Sequence, residues 1–242
     1  MKTMKTKTMV MAVMALLIGA GFSSCEKIKG KGDSVTEART VTGYSGIGLA
    51  ISATVYYTSG PDFLLEIQGQ QNVLDRILTR VEGNTLVIKL KNGVHLGQHD
   101  PIRIYITAPG VDHLDISGSG DIYVDNLWTG SDLSANISGS GSISVSGTES
   151  DRFSATISGS GTIRVLGGLT DQEHLKISGS GDIEMRYVEA QEVWTQTSGS
   201  GDMYVQAIQL LDVSISGSGN IYYLGNPIIN THISGSGNIR RL

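Results

Sequence analysis

The residues with the means to do chemistry in this chain are few, and most of them stand at two fixed offsets from one motif. Asp121, Asp182 and Asp202 each follow a Ser-Gly-Ser-Gly tetrapeptide directly, where the other copies carry Ser142, Thr162, Asn220 and Asn238. Two carboxylates held about 5 Å apart raise a pKa or bind a cation, which makes Asp182 and Asp202 the candidate metal pair. Joined by Arg164 and Arg186, they are also the one constellation suited to carboxylate-and-base cleavage of polysaccharides. The structural alternative covers all of these positions at once, because short Asp, Asn, Ser and Thr side chains bond backbone groups where a chain bends. The five histidines form no metal-spaced pair, and the single cysteine has another assignment below. No catalytic residue, no bound metal and no cofactor are therefore expected. Two residues beyond the aspartate offset stand Tyr123, Ser144, Arg164, Glu184, Tyr204, Tyr222 and Arg240. Tyr123, Tyr204 and Tyr222 are the candidate binding face, since exposed aromatics on a flat strand surface stack on sugar rings or on a protein partner.

These residues are positioned by a repeat. Ser-Gly-Ser-Gly begins at Ser117, Ser138, Ser158, Ser178, Ser198, Ser216 and Ser234, with spacings of 21, 20, 20, 20, 18 and 18. The residue before each copy is Ile116, Ile137, Ile157, Ile177, Thr197, Ile215 or Ile233, and five after the first Ser come Ile122, Ile143, Ile163, Ile183, Met203, Ile221 and Ile239. Apolar positions alternate with polar ones, the mark of strands with one buried face. A unit of this length cannot bury its own apolar face, so the columns predict successive units stacked in register. The fold class is thus all-β, a single-chain parallel β-helix or β-solenoid with coils of about 20 residues. On a straight strand Gly118 and Gly120 would face inward and Ser117 and Ser119 outward. The glycines then let opposite walls approach or supply a positive φ at a corner.

Residues 39–242 are assigned to this domain, with regular repeats from about residue 114 and an irregular β region before them. In that region Ile47, Leu49, Ile51, Ala53 and Val55 alternate, Phe63, Leu65 and Ile67 follow a turn, and Asn72 to Leu78 suits a helical turn. The region either continues the solenoid irregularly or caps it.

Residues 1–24 have the form of an export signal, with Lys2, Lys5 and Lys7 before an apolar run from Met9 to Phe22. The run is shorter than the roughly 20 residues that span a bilayer. Phe22-Ser23-Ser24-Cys25 resembles the lipobox of bacterial lipoproteins, which implies lipid attachment at Cys25, the only cysteine. Acyl chains contribute about 0.8 kcal/mol per buried CH₂, so the expected partner of the first mature residue is a membrane. Residues 25–38, rich in Lys and small residues, read as a flexible tether. Removing the signal takes away three of 18 basic residues and none of 23 acidic ones, leaving 15 − 23 = −8. An acidic chain excludes nucleic acid as a partner, and one cysteine excludes a disulfide scaffold.

Ile102-Arg103-Ile104, Pro109, Leu114-Asp115-Ile116 and Ser117-Gly118-Ser119-Gly120-Asp121-Ile122, with Gly219-Asn220-Ile221 and Gly237-Asn238-Ile239, resemble the bacterial "head GIN" domain, a family of auto-transporter adhesin type. The likeness runs from about Arg39 to Leu242. It implies a β-helical protein of the cell envelope, frequently a lipoprotein, and brings no catalytic or binding residues with it. The expected function is that of a non-enzymatic, lipid-anchored adhesin or structural solenoid on the outer membrane of a Gram-negative bacterium, on its periplasmic or surface face. A glycan-binding module is the second expectation and a polysaccharide-acting enzyme the third.

Overall fold

A computed structural model describes residues 26–242; the signal segment 1–24 and the lipid-attachment candidate Cys25 lie outside the described residues. The chain runs β1 (Glu26–Ile28), β2 (Ser34–Ala38), β3 (Gly46–Leu49), β4 (Thr54–Ser59), β5 (Leu64–Gln70), helix α1 (Gln71–Leu74), β6 (Ile77–Glu82), β7 (Thr85–Leu90), β8 (Val94–Leu96) and β9 (Arg103–Ala108). The repeats follow as β10 (His113–Ile116), β11 (Asp121–Ile137), β12 (Ser142–Ile157), β13 (Thr162–Val165), β14 (Gly168–Ile177), β15 (Asp182–Thr197), β16 (Met203–Gly217), β17 (Ile221–Gly225), β18 (Ile228–Gly235) and β19 (Ile239–Arg241).

From β10 onward the chain is a parallel β-solenoid of about 6 turns. Ile122, Ile143, Ile163, Ile183, Met203 and Ile221 stand one over the next in register, and each is 0% exposed. The column of residues before the motif, from Ile116 to Ile215, is buried beside it. The tetrapeptide forms the corner between two sides of each turn. One side carries segments such as Ser134–Ile137 and the other segments such as Asp121–Val124; they are called the first and second sides below. The unequal spacings are absorbed locally. The spacing of 21 is a bulge between Val124 and Leu127, and the first spacing of 18 is the net of two shifts, three residues lost opposite Glu184 to Glu189 and one regained opposite Ala190 to Glu192.

The glycines face neither an opposite wall nor, for the most part, a left-handed angle. Of the motif's glycines only Gly217 and Gly235 have φ in that region, at 149° and 136°. What forbids a side chain is the turn next in the stack. A Cβ on Gly139 would lie 2.0 Å from the Gly118 carbonyl oxygen, and one on Gly141 would lie 2.0 Å from that of Gly120. Those same oxygens accept the backbone N–H groups of Ser140 and Ser142, at 3.1 and 3.3 Å. The corner therefore keeps its hydrogen-bond ladder only where the backbone is bare.

The region before the repeats does both of the things expected of it. β3 lies between β7 and β10, and β4 between β9 and β11, all parallel, so two further levels extend the stack. Their order is inverted, since β7 and β9 come later in the chain than β3 and β4 but lie farther from the repeats. Antiparallel β5 covers the outer edge of β9, antiparallel β6 covers that of β7, and β2 pairs with β5. Sealing these edges removes a template for pairing with other chains.

The segment expected to be a flexible tether is laid on this cap instead. β1 pairs parallel with β8, and β2 is the strand beside β5. Between them the Lys31 N–H donates to Asn72 Oδ1 at 2.9 Å and Gln70 Nε2 donates to the Gly32 carbonyl at 3.0 Å. Backbone pairing to an edge needs no apolar periodicity, which is why the composition of residues 26–38 misleads.

Candidate functional site

The second side presents its outward residues in one unbroken register. Tyr105, Tyr56, Tyr123, Ser144, Arg164, Glu184, Tyr204, Tyr222 and Arg240 follow one another along the stack. Tyr56 stacks on Tyr105 with ring centroids 5.3 Å apart and on Tyr123 at 5.6 Å. Tyr204 and Tyr222 stack at 4.7 Å, and the Arg186 guanidinium lies 4.2 Å from the Tyr204 ring centre. Burial and the nearby Asp202 carboxylate both push the Tyr204 phenol upward in pKa. The three tyrosines singled out from the sequence thus share one column but belong to two ladders. Tyr204 has both ring faces occupied, by Tyr222 and Arg186. Tyr56 is likewise enclosed, whereas Tyr123 meets Tyr56 on one face and only Ser144 on the other.

Between the ladders Arg164 and Glu184 form a bidentate pair, Nε to Oε2 at 2.8 Å and Nη2 to Oε1 at 2.9 Å. Hydrogen bonding to Arg164 lowers the Glu184 carboxyl, and hydrogen bonding to Glu184 raises the guanidinium. An exposed pair of this kind contributes about 1 kcal/mol at most, so its effect here is to fix geometry.

The aspartate offset is a ladder of side chains onto backbone. Asp121 Oδ1 accepts the Ser142 N–H at 3.1 Å and the Ser142 hydroxyl. Asp182 Oδ1 accepts the Asp202 N–H at 2.9 Å, and Asp202 Oδ1 accepts both the N–H and the amide of Asn220 at 2.8 and 3.0 Å. Asp182 and Asp202 are neighbours as expected, but each turns an oxygen to the backbone of the next turn rather than toward a shared centre. Among the described residues no group of three or more His, Cys, Asp and Glu is placed to hold a metal ion. Arg164 is engaged with Glu184 and Arg186 with Tyr204, so the four residues of the enzyme constellation are not gathered around one point.

Other residues were missed in the sequence. Tyr56 and Tyr105 lie outside the repeat, and their registers depend on the inverted order of the first two levels. His174 and Trp194, twenty positions apart on the first side, stack at 4.6 Å with rings 4° from parallel; their spacing was the available signal. Burial, with Arg152 nearby, lowers the His174 pKa. Glu173 follows Phe153 and precedes Val193 in an inward column, is 0% exposed, and has no hydrogen-bond partner for either carboxyl oxygen. Its burial pushes the carboxyl well above the usual range.

A regular parallel stack with polar and aromatic ladders on an outer side defines the class: a β-solenoid. Within that class, the chain belongs to the family described as "Putative auto-transporter adhesin, head GIN domain", whose sequence pattern matches residues 43–227. Among solved structures it is similar to a "putative adhesin" from Bacteroides fragilis, at 25% identity and a TM-score of 0.84, over 89% of this chain and 100% of that one. It is also similar to a "Putative lipid binding protein" from Parabacteroides distasonis, at 27% identity and a TM-score of 0.77, over 90% and 100%. A "putative adhesin" from Parabacteroides merdae, at 20% identity and a TM-score of 0.73 over 90% and 99%, shares the fold. No protein of curated function matches. The family and these neighbours are described as adhesins or as lipid binding, none as an enzyme.

Proposed function

We propose that this protein is a non-enzymatic adhesin of the cell envelope, anchored in the outer membrane through lipidated Cys25 and presenting the second side of its solenoid to a partner on another surface. The observation that carries this reading is the polarity of the stack. β1 begins at Glu26, next to the candidate anchor, and is paired into the cap through β8, with a Glu26–Arg76 ion pair at 3.1 Å. A lipid on Cys25 therefore puts the capped end toward the membrane and leaves the repeats to extend away from it. The tyrosine ladders support a partner that is a glycan or a protein surface, since stacked aromatics offer apolar area with little entropy to lose.

Three measurements on intact cells test this. Radiolabelled palmitate is expected to label the wild-type protein and not Cys25→Ser, external protease is expected to remove the folded body, and deletion of the protein is expected to lower adhesion. Labelling that survives Cys25→Ser contradicts the anchor. A body fully protected from protease contradicts the surface reading.

A further inference from the structure

The outward column of the second side is interrupted where a side chain is too short to continue it. Tyr105, Tyr56 and Tyr123 stack ring on ring; the next position is Ser144, and the one after it is Arg164. Two turn spacings separate the Tyr123 ring from the Arg164 side chain, about 9.6 Å, and Ser144 occupies only the floor between them. A ring entering this slot lies about 4.8 Å from either wall, within the range at which rings stack.

The walls and floor differ in chemistry. Tyr123 is 36% exposed and offers the ring face that Tyr56 does not cover. Arg164 turns Nε and Nη2 to Glu184, and among the described residues its Nη1 donates to nothing. The floor holds the Ser144 hydroxyl and, beside it, that of Ser142, which donates to Asp121 and keeps its lone pairs as acceptors. An aromatic wall suits the C–H face of a sugar. Fixed donors and hydroxyl acceptors at its edges suit the equatorial hydroxyls, and a purely apolar ring would leave them unpaired. Glu184 already neutralises Arg164, and the charge left beside the floor is the Asp121 carboxylate, so nothing in the slot selects an acidic sugar.

We propose that the slot between Tyr123 and Arg164, floored by Ser144, is a subsite for one neutral pyranose ring of a glycan. The assignment rests on the reading of the second side as the partner-facing surface, and it gives that surface a ligand class. It also separates the tyrosines, since Tyr204 has no face left to offer.

The test uses the full chain in detergent micelles on an array of neutral and acidic glycans, followed by titration of the best neutral glycan. Ser144→Tyr fills the slot by continuing the ladder, Tyr123→Ala removes one wall, and His174→Ala, on the first side, is the control; thermal unfolding checks that each variant is folded. Binding of a neutral glycan is expected to weaken about tenfold or more in Ser144→Tyr and Tyr123→Ala and to stay unchanged in His174→Ala. The absence of any neutral glycan bound, or a folded Ser144→Tyr that binds as the wild type does, overturns the subsite. The same variants in the cell-adhesion assay separate the two levels. Adhesion that persists without glycan binding discards the subsite and leaves the adhesin reading, whereas glycan binding by a protein that mediates no adhesion discards that reading alone.

Discussion

Glu173 sits where the column Leu133, Phe153, Val193 and Leu211 is otherwise apolar, so the fold accepts its carboxyl only in the neutral form. The raised pKa fixes the direction of the linkage. The stability linked to Glu173 is highest below the unfolded value and falls as pH rises from there through the folded one. Glu173→Met is therefore expected to raise stability by about 1–3 kcal/mol at about pH 4, the cost of an unsatisfied buried polar group, and by more at about pH 8, where the penalty of keeping the carboxyl protonated is added. Urea unfolding of both proteins across that range measures it; a difference that does not grow with pH contradicts the assignment. Asp202 tests the opposite kind of site, a carboxylate with one oxygen engaged by two donors. Asp202→Ala removes the acceptor for two Asn220 donors and is expected to cost about 1 kcal/mol, with Asp202→Asn restoring most of it. A wild-type midpoint that rises on addition of calcium, with the rise lost in Asp202→Ala, would show an ion held there instead.

Among elements, the corners decide whether turns can stack. Gly141→Ala would drive a Cβ against the Gly120 carbonyl, and relief requires moving a backbone that is bonded on both sides. The expected cost is about 3 kcal/mol or more, above the range for ordinary overpacking because backbone rather than a side chain must give way. Gly110→Ala, with nothing within 4 Å of the added atom, is the matched control, expected to stay within about 0.5 kcal/mol. Thermal melts of the two variants decide the point, and equal midpoints would mean that the corner glycines serve some other end. The corner was legible in the sequence as a position, because every turn must solve the same packing problem with the same residues. Its cause was not, because the clash is with a carbonyl about twenty residues away rather than with an opposite wall. The same limit hid Tyr56 and Tyr105. Alternation marks β4 and β9 as strands, but which level each occupies depends on the inverted order of the first two turns, and no local pattern records that order.

For the whole molecule, columns legible in one dimension became columns in three because parallel stacking preserves register from turn to turn. The cap was less legible. β2, β5 and β6 are held by antiparallel backbone bonds to edges, which make little demand on side-chain type, so residues 26–38 carried the composition of a tether while serving as cap. The candidate face was half visible for the same reason. Tyr123, Tyr204 and Tyr222 share an offset that the repeat reveals, while the difference among them lies in what covers each ring.

The central claim is that residues one repeat apart lie over one another along a single axis, and spin-label distances test it most directly. On the first side Asp115, Asn136, Thr156, Lys176, Gln196 and Ser214 stand in consecutive register. In a Cys25→Ser background, one label at residue 115 paired in turn with labels at 176, 196 and 214 is predicted to give separations of about 14, 19 and 24 Å, before a constant offset for the label arms. Distances that rise by about 4.8 Å per repeat bear the account out; distances that do not increase evenly from turn to turn contradict it.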